Sequence, residues 1–324
     1  MGSVTVRSFV ERGAWLALAG LLLASLLAQC GRCGWLPELA THFRIQYLVV
    51  ALLLALAFVV MRRPVPALLA AGLLVLQGWY GAAYLLPLAT PRDPPAAGAP
   101  RLLSLNLYYR NHDHDAVRDY LRGRDPDVLV LSELTPEWVR ELAPVTARYP
   151  YWKSVDQRGP WGLGVFSRYP LREAVALNLG VPGSVNVRAI VELPGGALDL
   201  VAVHLSSPTS AARAAMRNRQ LEALAKLLGP AAMAAAAAPP RLLVGDMNLT
   251  PFSPYFTTLL AQTGLRDARQ PDGLLGTWPS WLPPLQIAID HCLVDAALAA
   301  TRVRRGPDVG SDHYPLEVTL LPAR

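Results

Sequence analysis

Leu242-Leu243-Val244-Gly245-Asp246-Met247-Asn248 is an apolar run that ends in Asp-x-Asn. Its first four residues predict a short strand. A carboxylate and a carboxamide at the tip of a buried strand cost free energy unless they bind something or each other. Two residues apart, Asp246 and Asn248 are expected on one face of that strand.

The same design recurs outward along residues 101–324. The run 102–107 carries Asn106, and 128–131 is followed by Ser132-Glu133. The run 198–205 carries His204, 287–294 carries Asp290-His291, and Gly310-Ser311-Asp312-His313 lies near the C-terminus. Residues 163–167 and 187–193 read as further strands, and 210–228 as a helix with Ser or Thr available as its cap. Many short strands, few helices and frequent Gly/Pro breaks predict packed sheets flanked by helices, an α/β class. Six strand tips bearing Asn, Glu, His, Asp-x-Asn, Asp and Asp-His have a joint chemical logic. Hard oxygen donors suit Mg²⁺ or Mn²⁺, and a histidine beside a carboxylate can be held in one tautomer to stabilise charge at phosphorus. Singly, each tip is an ordinary turn residue or satisfied core group; their order along the chain carries the weight.

That order resembles the endonuclease/exonuclease/phosphatase superfamily, which has the DNase-I-like fold. The matching segments are Asn106, the Ser-Glu at Glu133, the Gly-x-x-Phe-Ser-Arg-Tyr-Pro-Leu at 164–171, His204-Leu205, Gly245-Asp246-Met247-Asn248, Ile289-Asp290-His291 and Ser311-Asp312-His313-Tyr314-Pro315. The resemblance implies a four-layer α/β sandwich, two packed β-sheets flanked by helices. It also implies a metal-dependent phosphohydrolase using Mg²⁺ or Mn²⁺ and water, with no covalent intermediate. Glu133 would be the main metal ligand, with Asn106 and Asp312 close by. Asp246 would orient or deprotonate the water, and Asn106 and Asn248 would hold phosphate oxygens. His204 and His313 would stabilise the phosphoryl group, with Asp290 orienting His313. Arg188 reads either as a further phosphate contact or as a solvated strand residue. His112 and His114, in Asn111-His112-Asp113-His114-Asp115, resemble a metal cluster, but a loop with a helix N-terminal Asp explains them more simply. Trp152, Trp161, Trp278 and Trp281 default to core packing and are otherwise candidates for the rim.

Composition separates the rest of the chain. The sequence is 52% hydrophobic, so part of it is expected in lipid, and the excess lies before residue 90. Spans of about 13–30, 46–61 and 65–89 have the length and apolarity of transmembrane helices. This divides the chain into a membrane domain (1–90), a Pro-rich linker (91–100) and the catalytic domain (101–324). Residues 1–90 carry six Arg, no Lys and two acids, which leaves 91–324 close to balanced within the chain's net charge of +6. The broad basic surface of a protein gripping a long polyanion is absent from that balance. Cys30 and Cys33 read as small residues at a membrane edge, a disulfide being the alternative, and Cys292 as core.

The expected partners are a lipid bilayer and a phosphate-bearing substrate, a lipid-linked phosphate, pyrophosphate or phospholipid headgroup ahead of nucleic acid. No protein partner is legible. The membrane half resembles that of bacterial membrane-anchored members. Arg7, Arg12, Arg62 and Arg63 on one side of the spans outnumber Arg32, Arg44 and Arg92 on the other, which places the N-terminus in the cytoplasm and the catalytic domain on the periplasmic or extracellular side. A reporter fused after Arg324 is therefore expected to be active only outside the cytoplasm; cytoplasmic activity reverses the orientation.

Overall fold

The computed structural model describes residues 2–86, 98–229, 238–298 and 301–321. Numbered in chain order, its strands form two six-stranded sheets. The first runs β11 (Arg302–Arg305), β12 (Leu316–Thr319), β1 (Arg101–Asn106), β2 (Val128–Ser132), β4 (Leu163–Ser167), β3 (Tyr151–Val155). The second runs β5 (Leu171–Leu177), β6 (Asn186–Leu193), β7 (Gly196–His204), β8 (Arg241–Asp246), β10 (Asp290–Val294), β9 (Arg266–Asp267). The central pairs β1–β2 and β7–β8 are parallel, and the other pairings are antiparallel.

The central strands are apolar throughout because both of their faces are covered. Leu102, Val128, Val130, Leu200, Ala202, Leu242, Val244 and Cys292 fill the space between the sheets. Their odd-numbered neighbours turn outward. Leu103, Leu105, Leu129 and Leu131 pack with Val117 and Leu121 of α5 (His114–Arg124) and with Trp138 and Leu142 of α6 (Pro136–Thr146). Val201, Val203 and Leu243 pack with Leu221 and Leu224 of α7 (Ala211–Leu228) and with Phe256 of α8 (Pro254–Thr263). The result is the α/β sandwich of four layers that the sequence predicts. Ser210 caps α7 by accepting from Arg213 N at 3.3 Å, as the sequence suggests.

Strand parity positions the polar tips. β1, β2, β7 and β8 all run toward one rim, and β10 starts there, with Asp290 opposite Asp246. Asn106, His204, Asp246 and Asp290 continue the even-numbered rows that face between the sheets. Gly245 makes one of these tips: it has φ +132°, and a Cβ there would stand 2.1 Å from the Val203 carbonyl oxygen.

Four N-terminal helices are present among the described residues: α1 (Gly2–Gln29), α2 (Trp35–Thr41), α3 (Arg44–Val60) and α4 (Pro64–Leu85). Ser8–Gln29 and Pro64–Leu85 are long and apolar enough to cross a membrane. The short α2, which the sequence reading did not anticipate, joins α3 at a 64° bend, and the bent pair is a third candidate. Leu18, Leu54, Phe58 and Leu73 fill the bundle interior, while Leu16 and Leu68 on its outside are 75% and 73% exposed. The last residues of the expected 65–89 span and most of the 91–100 linker lie outside the described residues, as does most of the Ala-rich stretch at 229–240. Cys30 and Cys33 are free thiols, and Cys292 is in the core as expected.

The helices are fastened to the sandwich. Glu38 of α2 and Arg217 of α7 are 1% and 0% exposed and form an ion pair at 2.5 Å. Ser253 Oγ donates to Glu38 Oε1 at 2.8 Å, and Arg217 Nη1 donates to the Asn248 carbonyl at 3.2 Å. Trp35 Nε1 donates to the Pro208 carbonyl at 2.7 Å, and His42 Nδ1 lies 3.0 Å from Thr250 Oγ1. Removing one partner of a buried pair strands the other charge, at a cost of about 3–5 kcal/mol. Glu38→Ala is accordingly expected to lower the thermal unfolding midpoint of the detergent-solubilised protein sharply. A melting curve that does not move would show that the pair is not closed in the folded chain.

Candidate active site

The rim where the central strands meet gathers the tips of both sheets into one constellation. Asn106 Nδ2 donates to Glu133 Oε1 at 3.2 Å and to Asp246 Oδ2 at 3.1 Å, and lies 3.5 Å from His313 Nε2. His204 Nε2 is 3.6 Å from Asp246 Oδ2 and 3.9 Å from Glu133 Oε1. His313 Nε2 is 3.7 Å from Asp246 Oδ2 and 4.0 Å from Asp312 Oδ1. Asp290 Oδ2 holds His313 Nδ1 at 2.9 Å. Seven of the eight residues the sequence nominates at this rim thus touch within two or three contacts, and Asn248 joins them through Asp246.

Backbone geometry sharpens the tips. Tyr108, Glu133 and Asn248, which follow β1, β2 and β8, all have positive φ, at 56°, 57° and 52°. Non-glycine residues in that region cost about 1–3 kcal/mol each and persist only where surrounding contacts fix them. Here those contacts are visible. Tyr109 N donates to Glu133 Oε2 at 2.8 Å, and Asn248 N donates to Asp246 Oδ1 at 2.9 Å.

Two details depart from the expectations. Asp246 and Asn248 do not share a strand face, because β8 ends at Asp246 and the left-handed turn at Asn248 sends its Nδ2 to the Leu205 carbonyl at 2.9 Å. Asn106 turns its amide nitrogen, not its oxygen, toward the carboxylates; its Oδ1 accepts from Tyr108 N at 2.9 Å. Arg188 is a correction. It forms a bidentate pair with Asp199 at 2.9 and 2.7 Å, on the outward-facing row of β6, so it cannot serve as a phosphate contact. Its neighbour Asn186 is the residue the sequence reading passed over. Asn186 Oδ1 accepts from the His204 backbone N at 3.1 Å, and only its place at a strand start hinted at such a role.

The electrostatics follow from burial and crowding. Burial raises the Asp246 carboxyl to about 6 against the opposing charge of His313. Burial would also lower the His313 imidazole, but Asp290 and Asp246 outweigh it and raise it to about 10. Asp290 is pushed up by burial yet held below the ordinary carboxylate range by the His313 charge and its hydrogen bond. Asp312 is raised, chiefly by burial and also by Glu133. Asp312 Oδ2 accepts from Trp278 Nε1 at 3.1 Å, while its buried Oδ1 has no hydrogen-bond partner. An unpartnered buried carboxylate oxygen beside a second carboxylate is the donor set a hard divalent cation needs. Glu133 and Asp312 therefore fit such an ion. A second grouping, Asp246, Asp290 and His313, also brings ligand atoms within 4.8 Å of one another, but its His313–Asp290 hydrogen bond already uses the imidazole Nδ1.

The constellation floors a cleft of about 430 Å³. Trp161 and Trp278 line it, and the core default fails for the other two tryptophans as well, since Trp152 and Trp281 are 60% and 69% exposed. The Trp161 ring lies 6.2 Å from that of His204, and the Arg213 guanidinium is 5.1 Å from the centre of the Trp161 ring. Leu39, His42 and Phe43, from the N-terminal segment, complete the wall. His291 is structural, as expected: its Nε2 lies 2.8 Å from the Leu249 carbonyl, and burial pushes its imidazole down to about 3. Asp113 caps α5 through Ala116 N at 3.2 Å, which accounts for the acid between His112 and His114.

The sequence profile of the endonuclease/exonuclease/phosphatase family matches residues 103–313. Among solved structures, a variant of the 3′ phosphatase NExo from Neisseria, bound to a product DNA hairpin, superposes with a TM-score of 0.56 at 21% identity, covering 69% of this chain and 100% of that one. Truncated Caenorhabditis elegans TDP2 gives 0.56 at 15% identity, covering 70% and 100%. A humanized D. rerio TDP2 gives 0.55 at 19% identity, covering 68% and 98%. No curated protein sequence matches the chain.

The Asp290–His313 pair makes a direct prediction. With the carboxylate in place the imidazole stays protonated through neutral pH; in Asp290→Asn the largest opposing charge and its hydrogen bond are gone, and burial is opposed only by Asp246 and Asp312. The His313 titration followed by NMR is expected to move down from the alkaline range. An unshifted titration would show that Asp290 does not set the charge of His313.

Proposed function

The chain belongs to the endonuclease/exonuclease/phosphatase family and is a metal-dependent phosphoester hydrolase; on that footing we propose that it works at a membrane surface, on a phosphate, pyrophosphate or phosphodiester group carried by a lipid. The observation that carries this reading is the composition of the cleft wall. One side is the carboxylate–histidine cluster of the sandwich, and the other is Leu39 and Phe43 of a segment held between apolar helices. The tight α2–sandwich contacts keep the site beside whatever surface those helices occupy.

In this reading Glu133 and Asp312 would hold a divalent ion, Mg²⁺ or Mn²⁺, which would supply positive charge to the phosphate and to the leaving oxygen. Asp246 Oδ2 takes the proton of the attacking water; with its carboxyl raised to about 6 it is ionised at neutral pH and still basic enough to accept. His313, kept as an imidazolium by Asp290, donates from Nε2 to an oxygen of the transferring phosphoryl group. His204 presents its Nε2 to the same carboxylates from the opposite sheet, where it can meet a phosphate oxygen. Asn106 Nδ2 is a further donor for a phosphate oxygen, a role its observed orientation favours over metal ligation. Asn248 holds the Asp246 turn in place and borders the cleft. Arg213 is the one guanidinium among the residues lining the cleft and suits a second phosphate or a headgroup.

Three membrane spans with Arg12, Arg62 and Arg63 in the cytoplasm would set the sandwich on the exported side of a cell membrane. Action on nucleic acid is the second reading, because the Neisseria relative is seen with a product DNA hairpin. The test is a product spectrum. Purified protein with Mg²⁺ is offered a prenyl pyrophosphate and supercoiled plasmid, and phosphate release without nicking is expected. Nicking alone overturns the lipid reading. Asp246→Ala is expected to reduce turnover by about 10²–10⁴-fold with the fold intact by circular dichroism; full turnover would remove Asp246 from its role.

A further inference from the structure

The cleft is not closed by the sandwich alone. Trp35, Leu39 and Phe43 are spaced by four residues along α2 and the turn after it. Trp35 is pinned to the Pro208 carbonyl at 2.7 Å, and Pro208 lines the cleft together with Leu39 and Phe43. Behind this face, Glu38 is locked to Arg217 and Ser253, and His42 to Thr250. Arg217 in turn holds the Asn248 carbonyl, next to the catalytic turn. The wall is therefore rigidly set against the reacting groups rather than draped over them. Facing it are Trp161, Leu205, Ile287 and Ile289, all apolar. The cleft thus carries charge for phosphorus at the carboxylate–histidine cluster, and beyond it an apolar lining interrupted by Arg213, Ser207 and Thr209.

We propose that this apolar part of the cleft is a chain subsite: Leu39 and Phe43, with Trp161 and Ile287 opposite, bind the first carbons of an aliphatic chain borne by the phosphate being cleaved. The proposal rests on the hydrolase reading above and narrows its substrate class to alkyl or prenyl phosphates and diphosphates. It makes the N-terminal segment part of the substrate site, with Leu39 and Phe43 as specificity-determining residues. A chain attached through phosphate can lie there only with the phosphorus at the Asp246–His313 end, because the other orientation would bury the phosphate charge against leucine and isoleucine. A chain seated this way also keeps water away from the leaving oxygen, where the charged groups act most strongly.

The test uses the full chain in detergent with Mg²⁺ and a series of n-alkyl phosphates from butyl to decyl, with binding read by calorimetry. Burying a methylene contributes about 0.8 kcal/mol, so each is expected to tighten binding about two- to fourfold until the cleft is filled, after which the gain stops. In Leu39→Ser/Phe43→Ser the gain per methylene is expected to fall close to that of partition into detergent alone. Leu36→Ser, on the same helix but 61% exposed and outside the cleft, keeps the wild-type gain. Should the double variant fail to fold, Leu39→Trp narrows the wall, and the gain is expected to stop at a shorter chain. Equal slopes in the wild type and the double variant, or an unmoved stopping point in Leu39→Trp, overturn the subsite.

Mg²⁺-dependent turnover of p-nitrophenyl phosphate, which has no chain, separates the two ideas. Turnover with flat chain slopes removes the subsite and keeps the hydrolase. Steep wall-dependent slopes with no turnover of any phosphate keep the subsite and remove the hydrolytic reading.

Discussion

Like charges crowded out of water dominate this molecule. Glu133, Asp246, Asp290 and Asp312 meet at one rim; the first three are buried, and the fourth lies where the Glu133 charge acts on it. Such a cluster opposes folding unless positive charge is supplied. The chain supplies part of it as the His313 imidazolium and leaves an unpartnered Asp312 oxygen for a cation. Much of the surrounding structure can be read as what holds those groups together: two parallel strand pairs that deliver their ends to one place, and left-handed turns at Tyr108, Glu133 and Asn248 that aim them.

A second buried charge pair ties the two halves of the chain together. Glu38 and Arg217 lie where neither would be tolerated alone, and Arg217 also reaches the Asn248 carbonyl. The N-terminal helices are consequently continuous with the catalytic turn. Their outer surface is largely apolar, and inside them the buried Arg44 guanidinium donates to the Ala28 carbonyl and to Gln77 Oε1 and stands 3.5 Å from the centre of the Tyr80 ring. An anchor that only tethered the domain would need none of these contacts.

Much of the fold was legible because its central strands are short, apolar and punctuated. The strand at 163–167 matches β4 residue for residue, and 210–228 matches α7 to within one position. The strands that escaped notice lie at or next to sheet edges. β3 and β5 consist of exposed and half-buried residues with none fully buried, and β9 has two residues, so neither hydrophobicity nor length marks them. Helix α2 escaped because seven residues with a proline and a glutamate carry no amphipathic signature, and what stabilises it is a partner about 180 residues away. The polar tips that meet at one rim were legible because each polar residue interrupts an apolar run. Arg188 was misplaced for a related reason: periodicity marks which residues alternate but not which face is which.

By itself the sequence determined the central strands, the polar tips and their order, and the uncharged N-terminal runs, because strand periodicity and burial of apolar surface are local properties of the chain. Only the tertiary structure decided that even-numbered residues of the central strands face the partner sheet, that Arg188 spends its charge on Asp199, that Asn106 offers nitrogen rather than oxygen, and that Leu39 and Phe43 wall the cleft. In strands buried on both faces, either parity satisfies the hydrophobic pattern. The choice between faces, and the meeting of α2 with α7, is made by packing and charge pairing between segments that are far apart in sequence.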